Sequence, residues 1–384
     1  MSKKIDTYWL YFHHTNIDSI FSAVSRAKLP YDFEIKLFMI ISSDDLFSEM
    51  KKWTPEHFAV DYLEENSNLL TLKITKTIKH VKEYEISGCL NLVKIANSNV
   101  YVAISYDSLK FVKSVMLRYF NHFYSNVSNL YISSNQIKQI LDKLKEETSG
   151  EIVTDRVVSY SRINNRQQIT LDKKERISEL RKVESVNFRN KRTKESDLRW
   201  TDEDYATSFK RAAENDQWID KITFSVRKDN SELFFGFLAR DGLFKCNKNL
   251  KLFFDTILNS VTRIGNEKVR LFKNRSRLEN QGVIKPLTIE FKGNIFKDIE
   301  QNHRLVKVLS EFPKSSYTVY HGNPYLHVSL VDYCDGSSYD LWVLSEERLI
   351  IVPQLKASFS SISRFCEHIF RKFREGNINE LVIE

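Results

Sequence analysis

Three residues late in the chain have types and spacing suited to phosphodiester chemistry. Asp340 lies in the run Asp335-Gly336-Ser337-Ser338-Tyr339-Asp340-Leu341-Trp342-Val343-Leu344. Gln354 and Lys356 close the run Arg348-Leu349-Ile350-Ile351-Val352-Pro353-Gln354-Leu355-Lys356. Both runs read as strands, so side-chain alternation places Gln354 and Lys356 on one face of theirs. Hydrolysis of a phosphodiester needs an activated water, a Lewis acid for the developing charge and a cation near the scissile phosphate. Asp340 and the amide oxygen of Gln354 are candidate ligands for Mg²⁺, the cofactor expected if the chain is an active enzyme, with none expected otherwise. Lys356 is the candidate for orienting water or neutralising phosphate.

This set resembles the restriction-endonuclease-like PD-(D/E)xK nucleases, particularly the modification-dependent restriction branch in which Gln replaces the second acid. The resemblance is confined to the carboxy-terminal part and rests on Asp340, Gln354 and Lys356. It implies a core ordered helix, three strands, helix, strand, which the elements read over 295–383 resemble with one extra strand. It also implies a metal-dependent endonuclease, active or degenerate, in genome defence. Pro353 cannot donate a ladder bond, which predicts an edge or a bulge at that point. Glu300 and Glu311 are the acids available upstream. Glu290-Phe291-Lys292 also spells Glu-x-Lys and reads as a structural strand. Asp335-Gly336-Ser337-Ser338 has turn chemistry, and His13, His14, His321 and His327 read as turn or strand histidines.

The formal charge of +8 is concentrated, because residues 240–297 hold 13 basic and 5 acidic residues. Clustered Lys and Arg can displace counterions from a phosphate backbone. Lys268, Arg270, Lys273, Arg275 and Arg277, interleaved with Leu271 and Phe272, are the expected phosphate contacts. The expected partner is nucleic acid, DNA or RNA. The alternative is a non-enzymatic adaptor that binds a protein partner or guides nucleic acid to an enzyme. The sequence lacks GxxxxGK[ST], GxGxxG, HExxH and GxSxG, so ATPase, dehydrogenase, zinc-protease and serine-hydrolase readings lose their usual support.

Composition bounds the positioning elements. A chain of 384 residues with 42% hydrophobic content, 26 Phe and 17 Tyr can fill more than one core. Cys89, Cys246, Cys334 and Cys366 are widely spaced, which predicts free thiols. The absence of a long apolar run predicts no membrane span and a cytoplasmic location.

The expected fold is mixed α/β of the α+β kind, multidomain, with a carboxy-terminal sheet flanked by helices. The stretches are a mixed domain over 1–150, a charged linker or exposed helix over 151–200, a basic middle domain over 201–285 and the nuclease-like part over 286–384. Strands are expected at 7–12, 33–41, 69–74 and 100–105. Helices follow, one from Asp107 and one capped by Ser134 and closed by Gly150. Thr201 is the expected cap of a further helix. A hairpin spans 222–238, a third strand covers 242–245, and a helix from Leu250 carries Gly265 near its end. The carboxy-terminal pattern is strand 287–291, helix 295–309 and strands 317–320, 326–331, 339–344 and 348–352. A helix capped by Ser360 or Ser361 and closed by Gly376 follows, then a strand at 381–383.

Overall fold

A computed structural model describes residues 7–27, 29–30, 33–78, 84–123, 125–161, 195–214, 217–229, 231–247, 249–322 and 325–381. The expected linker lies mostly outside the described residues, as do the last residues of the strand expected at 381–383. The fold is mixed α+β, built on two antiparallel sheets.

The apolar run Ile35–Ser42 forms β1 and is buried along its whole length. Around it lie β2 (Phe58–Asn66), β3 (Leu69–Ile78), β4 (Tyr84–Lys94), β5 (Val100–Ser105), β6 (Val127–Asn129), β7 (Glu151–Ser161), β8 (Glu195–Asp204), β9 (Gln217–Lys228), β10 (Ser231–Ala239) and β11 (Leu243–Cys246). The order is β2-β3-β4-β5-β1-β11-β10-β9-β7-β8, with β6 also paired to β1. Strands from stretches 1–150 and 201–285 therefore share one sheet. Leu37, Met39 and Ile41 stand opposite Ile104, Val102 and Val100 on one face, and Phe38 and Ile40 opposite Ala103 and Tyr101 on the other. Helices cover both faces here, so β1 has no polar side to alternate with. Helix α1 (Ile17–Arg26), α4 (Ser134–Thr148) and α6 (residues 250–272) supply the first cover. Helices α2 (Leu46–Lys52) and α3 (residues 109–120, with a π turn at Val112–Met116) supply the second. Helix α5 (Tyr205–Glu214) follows β8.

Several local readings change. Residues 7–12 contain a 3₁₀ turn, Tyr8–Tyr11, which buries the neighbours Leu10 and Tyr11 together, as strand alternation would not. Thr201 belongs to β8, and α5 starts at Tyr205. Ser108, Ser133 and Ser358 cap their helices, one to three residues from the expected caps. The left-handed residue after α4 is Ser149, not Gly150. Gly376 opens a strand instead of closing a helix.

Gly265 does not end α6, which runs on to Phe272. A Cβ there would lie 2.6 Å from Val100 Cγ2 and 3.2 Å from Ile41 Cγ2, so the glycine lets the helix approach the sheet. Overpacking costs about 1–3 kcal/mol against about 1 kcal/mol gained by removing a helical glycine. Gly265→Ala is expected to lower stability by about 1 kcal/mol net in urea denaturation. A more stable variant would show that the contact yields freely.

The second sheet comprises β12 (Leu287–Phe291), β13 (Ser315–His321), β14 (Leu326–Asp332), β15 (Ser337–Ser345), β16 (Arg348–Pro353) and β17 (Gly376–Glu380), in the order β13-β14-β15-β16-β12-β17. Burial alternates along β14 and β16, and along β15 as far as Val343. The inner face packs on α7 (Ile299–Ser310) and α8 (Phe359–Lys372), while among the described residues no helix covers the other face, which is open. Along the chain, α7, four strands, α8 and β17 follow one another, the expected order with its extra strand.

Helix α8 also joins the two sheets. Ser363 Oγ and Ser128 Oγ lie 2.9 Å apart, and Ser360 N–H donates to the Ser125 carbonyl. Beside it, Arg240 is fully buried between the rings of Tyr131 and Trp218, with its guanidinium 2.6 Å from Glu375. Glu375 also accepts from the N–H and Oγ of Ser134 at the start of α4. All four cysteines are free thiols, and three are buried. No helix among the described residues is long and apolar enough to cross a membrane.

Candidate functional site

Asp340 stands mid-strand in β15 on the open face, opposite Ser329 of β14 and Val352 of β16. Gln354 lies just past β16, and its Nε2 donates to Asp340 Oδ2 at 2.6 Å. The structure therefore brings these two together. Lys356 goes elsewhere, donating to the Asp335 carbonyl in the β14–β15 turn. The reason is a local irregularity in the ladder: Gln354 N–H bonds Ser338 O, but Ser338 N–H bonds Lys356 O.

Pro353 is accommodated where the ladder asks nothing of it. Gln354 N–H points towards β15, so the nitrogen of Pro353 faces the opposite side, beyond the end of the β12 pairing at Ile351. Arg277 and Leu278 bond the carbonyls of Gln354 and Leu355 there. The expected turn holds: Asp335 Oδ1 accepts from Ser337 N–H, and Gly336 adopts φ +78°.

Two residues along β15 from Asp340, Trp342 shares its face. The Trp342 ring stacks on His327 of β14, with centroids 3.6 Å apart and planes 11° apart. Tyr320 of β13 lies against the other side of His327 at 4.8 Å. A bulge between Val319 and His321 brings Tyr320 over this row. Tyr320 is the outermost ring and 59% exposed, and His327 Nε2 has no hydrogen-bond partner among the described residues. Beyond Ile350, which pairs with Trp342, lies Arg348, half exposed and loosely paired with Glu290 at 3.9 Å. The open face thus carries a cation, an aromatic row and a carboxylate bonded to an amide, at strand positions about 7 Å apart from the cation to the carboxylate.

His327, Trp342 and Tyr320 escaped the sequence reading, which took His327 for a strand histidine. The alternation Leu326-His327-Val328-Ser329-Leu330 marks His327 as outward. Its meeting with Trp342 depends on a cross-strand register that one strand's sequence does not contain.

Of the five expected phosphate contacts, Lys268 and Arg275 are buried, Lys273 and Arg277 are part-exposed and Arg270 is exposed. Lys268 is buried in α6 and donates to the Tyr131 carbonyl; burial pulls its ammonium down to about 8. Arg275 is buried and bonds the Leu271 carbonyl and Glu380. Arg270 is exposed and lies 3.6 Å from Glu380, Lys273 lies 3.8 Å from Asp44, and Arg277 Nε donates to the Pro353 carbonyl. Arg270, Arg275 and Arg277 thus meet the second sheet, whereas Lys268 and Lys273 meet Tyr131 and Asp44 beside the first. Burial and local carboxylates engage part of the charge that the sequence concentrates.

Asp332 belongs to structure as well. It is fully buried and accepts from Arg364, Ser361 Oγ and Cys334 N–H. Burial alone raises its carboxyl pKa, but these bonds outweigh burial and hold it below the ordinary range. A depressed carboxyl stabilises the fold above its unfolded value of about 4, and that stability drains away as pH falls below it. The thermal midpoint should fall less steeply between pH 5 and pH 3 in Asp332→Asn than in wild type. Parallel acid limbs would remove this account.

As a metal site, Asp340 supplies a carboxylate and Gln354 supplies an oxygen once its amide is turned. Mg²⁺ accepts such a sparse protein set because it keeps several waters. Among the described residues no cluster of three His, Cys, Asp or Glu gathers. Compared with protein-family models, curated proteins and solved structures, the chain finds no match.

Proposed function

We propose that this chain binds single-stranded nucleic acid on the open face of the second sheet. A divalent cation at Asp340 and Gln354 would serve a phosphodiester laid alongside. The observation that carries the reading is the stack Tyr320, His327 and Trp342, whose outer ring Tyr320 is exposed, in line with that carboxylate. Unpaired bases stack on aromatic side chains at about 1–3 kcal/mol each, whereas a duplex keeps its base faces hidden. His327, held between two rings, keeps the row rigid. Arg348 is the nearest cation on this face for a phosphate, and Ser329 offers a hydroxyl beside Asp340. Bound Mg²⁺ would supply Lewis-acid stabilisation of charge on the phosphate. Such a role suits a cytoplasmic protein.

Fluorescence anisotropy with a labelled single strand and its duplex, across a salt series, tests the binding. Affinity is expected for the single strand, with a shallow salt slope of about −0.7 per phosphate contact from one or two contacts. Lys268→Met should leave affinity unchanged, because Lys268 is buried. Failure to bind single strand at low salt would end the proposal.

A second reading, the non-enzymatic adaptor, is favoured by the commitment of Lys356 to Asp335 and of the Gln354 amide to Asp340. An Mg²⁺ or Mn²⁺ cleavage assay separates the two. Product from wild type that disappears in Asp340→Ala supports hydrolysis at this site. Binding without product supports the adaptor.

A further inference from the structure

Among the described residues each sheet ends in two edge strands. Strand β2 has Asp61, Glu64 and Glu65, and β17 has Glu380. Charged side chains on an edge blunt its tendency to pair with another chain. Strand β13, Ser-Ser-Tyr-Thr-Val-Tyr-His, has no Lys, Arg, Asp or Glu, and six of its seven residues are exposed.

Its hydrogen-bonding direction is determined by the neighbouring turn. Tyr333 N–H donates to the Lys314 carbonyl, so Lys314 faces β14. Alternation then turns the backbone groups of Ser316 and Thr318 towards β14 and those of Ser315, Tyr317 and Val319 towards the free edge. Among the described residues β13 is the edge of its sheet and pairs with β14 alone, so no neighbouring strand faces the outward groups of Tyr317 and Val319. The Tyr317 and Val319 side chains, on the helix side of the sheet, are 37% and 40% exposed. The bulge that protects this edge begins only after Val319.

We infer that β13 pairs with β13 of a second copy of this chain, antiparallel about a two-fold axis at Tyr317. That axis sets Tyr317 opposite its mate and Ser315 opposite Val319, with about six intermolecular backbone bonds. The charge pattern selects this occupant. In a two-fold pairing each strand meets its own sequence, and an uncharged strand avoids like charges directly opposite each other. Lys314 falls opposite Tyr320, away from its mate. The two sheets join into one, and the Tyr317 rings meet across the axis. The inference stands apart from nucleic-acid binding and is tested without nucleic acid.

Sedimentation and light scattering over a dilution series should give twice the chain mass of 45.3 kDa for wild type. Tyr317→Lys places two ammonium groups opposite each other. Val319→Pro removes an outward N–H that the β14 ladder does not use. Both variants should drop to single-chain mass with unchanged circular dichroism. Wild type at single-chain mass throughout the series overturns the inference without recourse to any variant. So does a dimer that persists in both variants.

Discussion

Glu375→Ala is expected to destabilise the protein by about 3–5 kcal/mol, the usual result of stripping one partner from a buried ion pair. Arg240 has no exposed surface, and Glu375 is 8% exposed at its side chain. Burial lowers the Arg240 guanidinium to about 10 despite the opposing pull of Glu375, so it stays cationic at neutral pH. Removing Glu375 leaves that cation between Tyr131 and Trp218 without its counter-charge. It also frees the Ser134 N–H at the first turn of α4, where the helix end favours an anion. The pair sits where α8 meets the first sheet, so the loss should loosen the junction between the sheets. Arg240→Met combined with Glu375→Leu should recover much of the loss, because it removes both desolvated charges together. Chemical denaturation checks both. A loss under about 1 kcal/mol in Glu375→Ala would mean that water reaches the site.

Trp342→Ala should weaken single-strand binding about 5- to 150-fold, the equivalent of one lost stacking interaction. Trp342 backs the stack by holding His327, and His327 holds Tyr320. Tyr320→Ala removes only the exposed outer ring, so it should lower affinity while leaving stability nearly unchanged. The two variants together separate stacking from folding. If Trp342→Ala and Tyr320→Ala bind as wild type does, the aromatic row merely pairs β13, β14 and β15.

Much of the carboxy-terminal sheet was legible because its strands alternate cleanly. Strand β12 spans 287–291 as read, and β14, β15 and β16 each differ by a residue or two. Strand β5 also matches its reading at 100–105, since a six-residue run rich in Val and Ile is too short for a helix and suits a strand buried on both faces. Helix α6 was read short because Gly265 looks like a stop. Its real cause, the approach to Val100, belongs to another element. The Asp340 and Gln354 pairing followed from adjacent strands, whereas the path of Lys356 turned on one irregular ladder bond.

Residue order by itself determined the mixed strand and helix content, the apolar stripes and the outward placement of Asp340, because these depend on local period and steric preference. Tertiary structure decided which charges face water. It buried Lys268, Arg275 and Arg240 against carbonyls, carboxylates and rings contributed by elements far away in the chain. It also assembled Tyr320, His327 and Trp342 from three strands. Charge counts and spacings are properties of a line, but desolvation and stacking are set by neighbours in space.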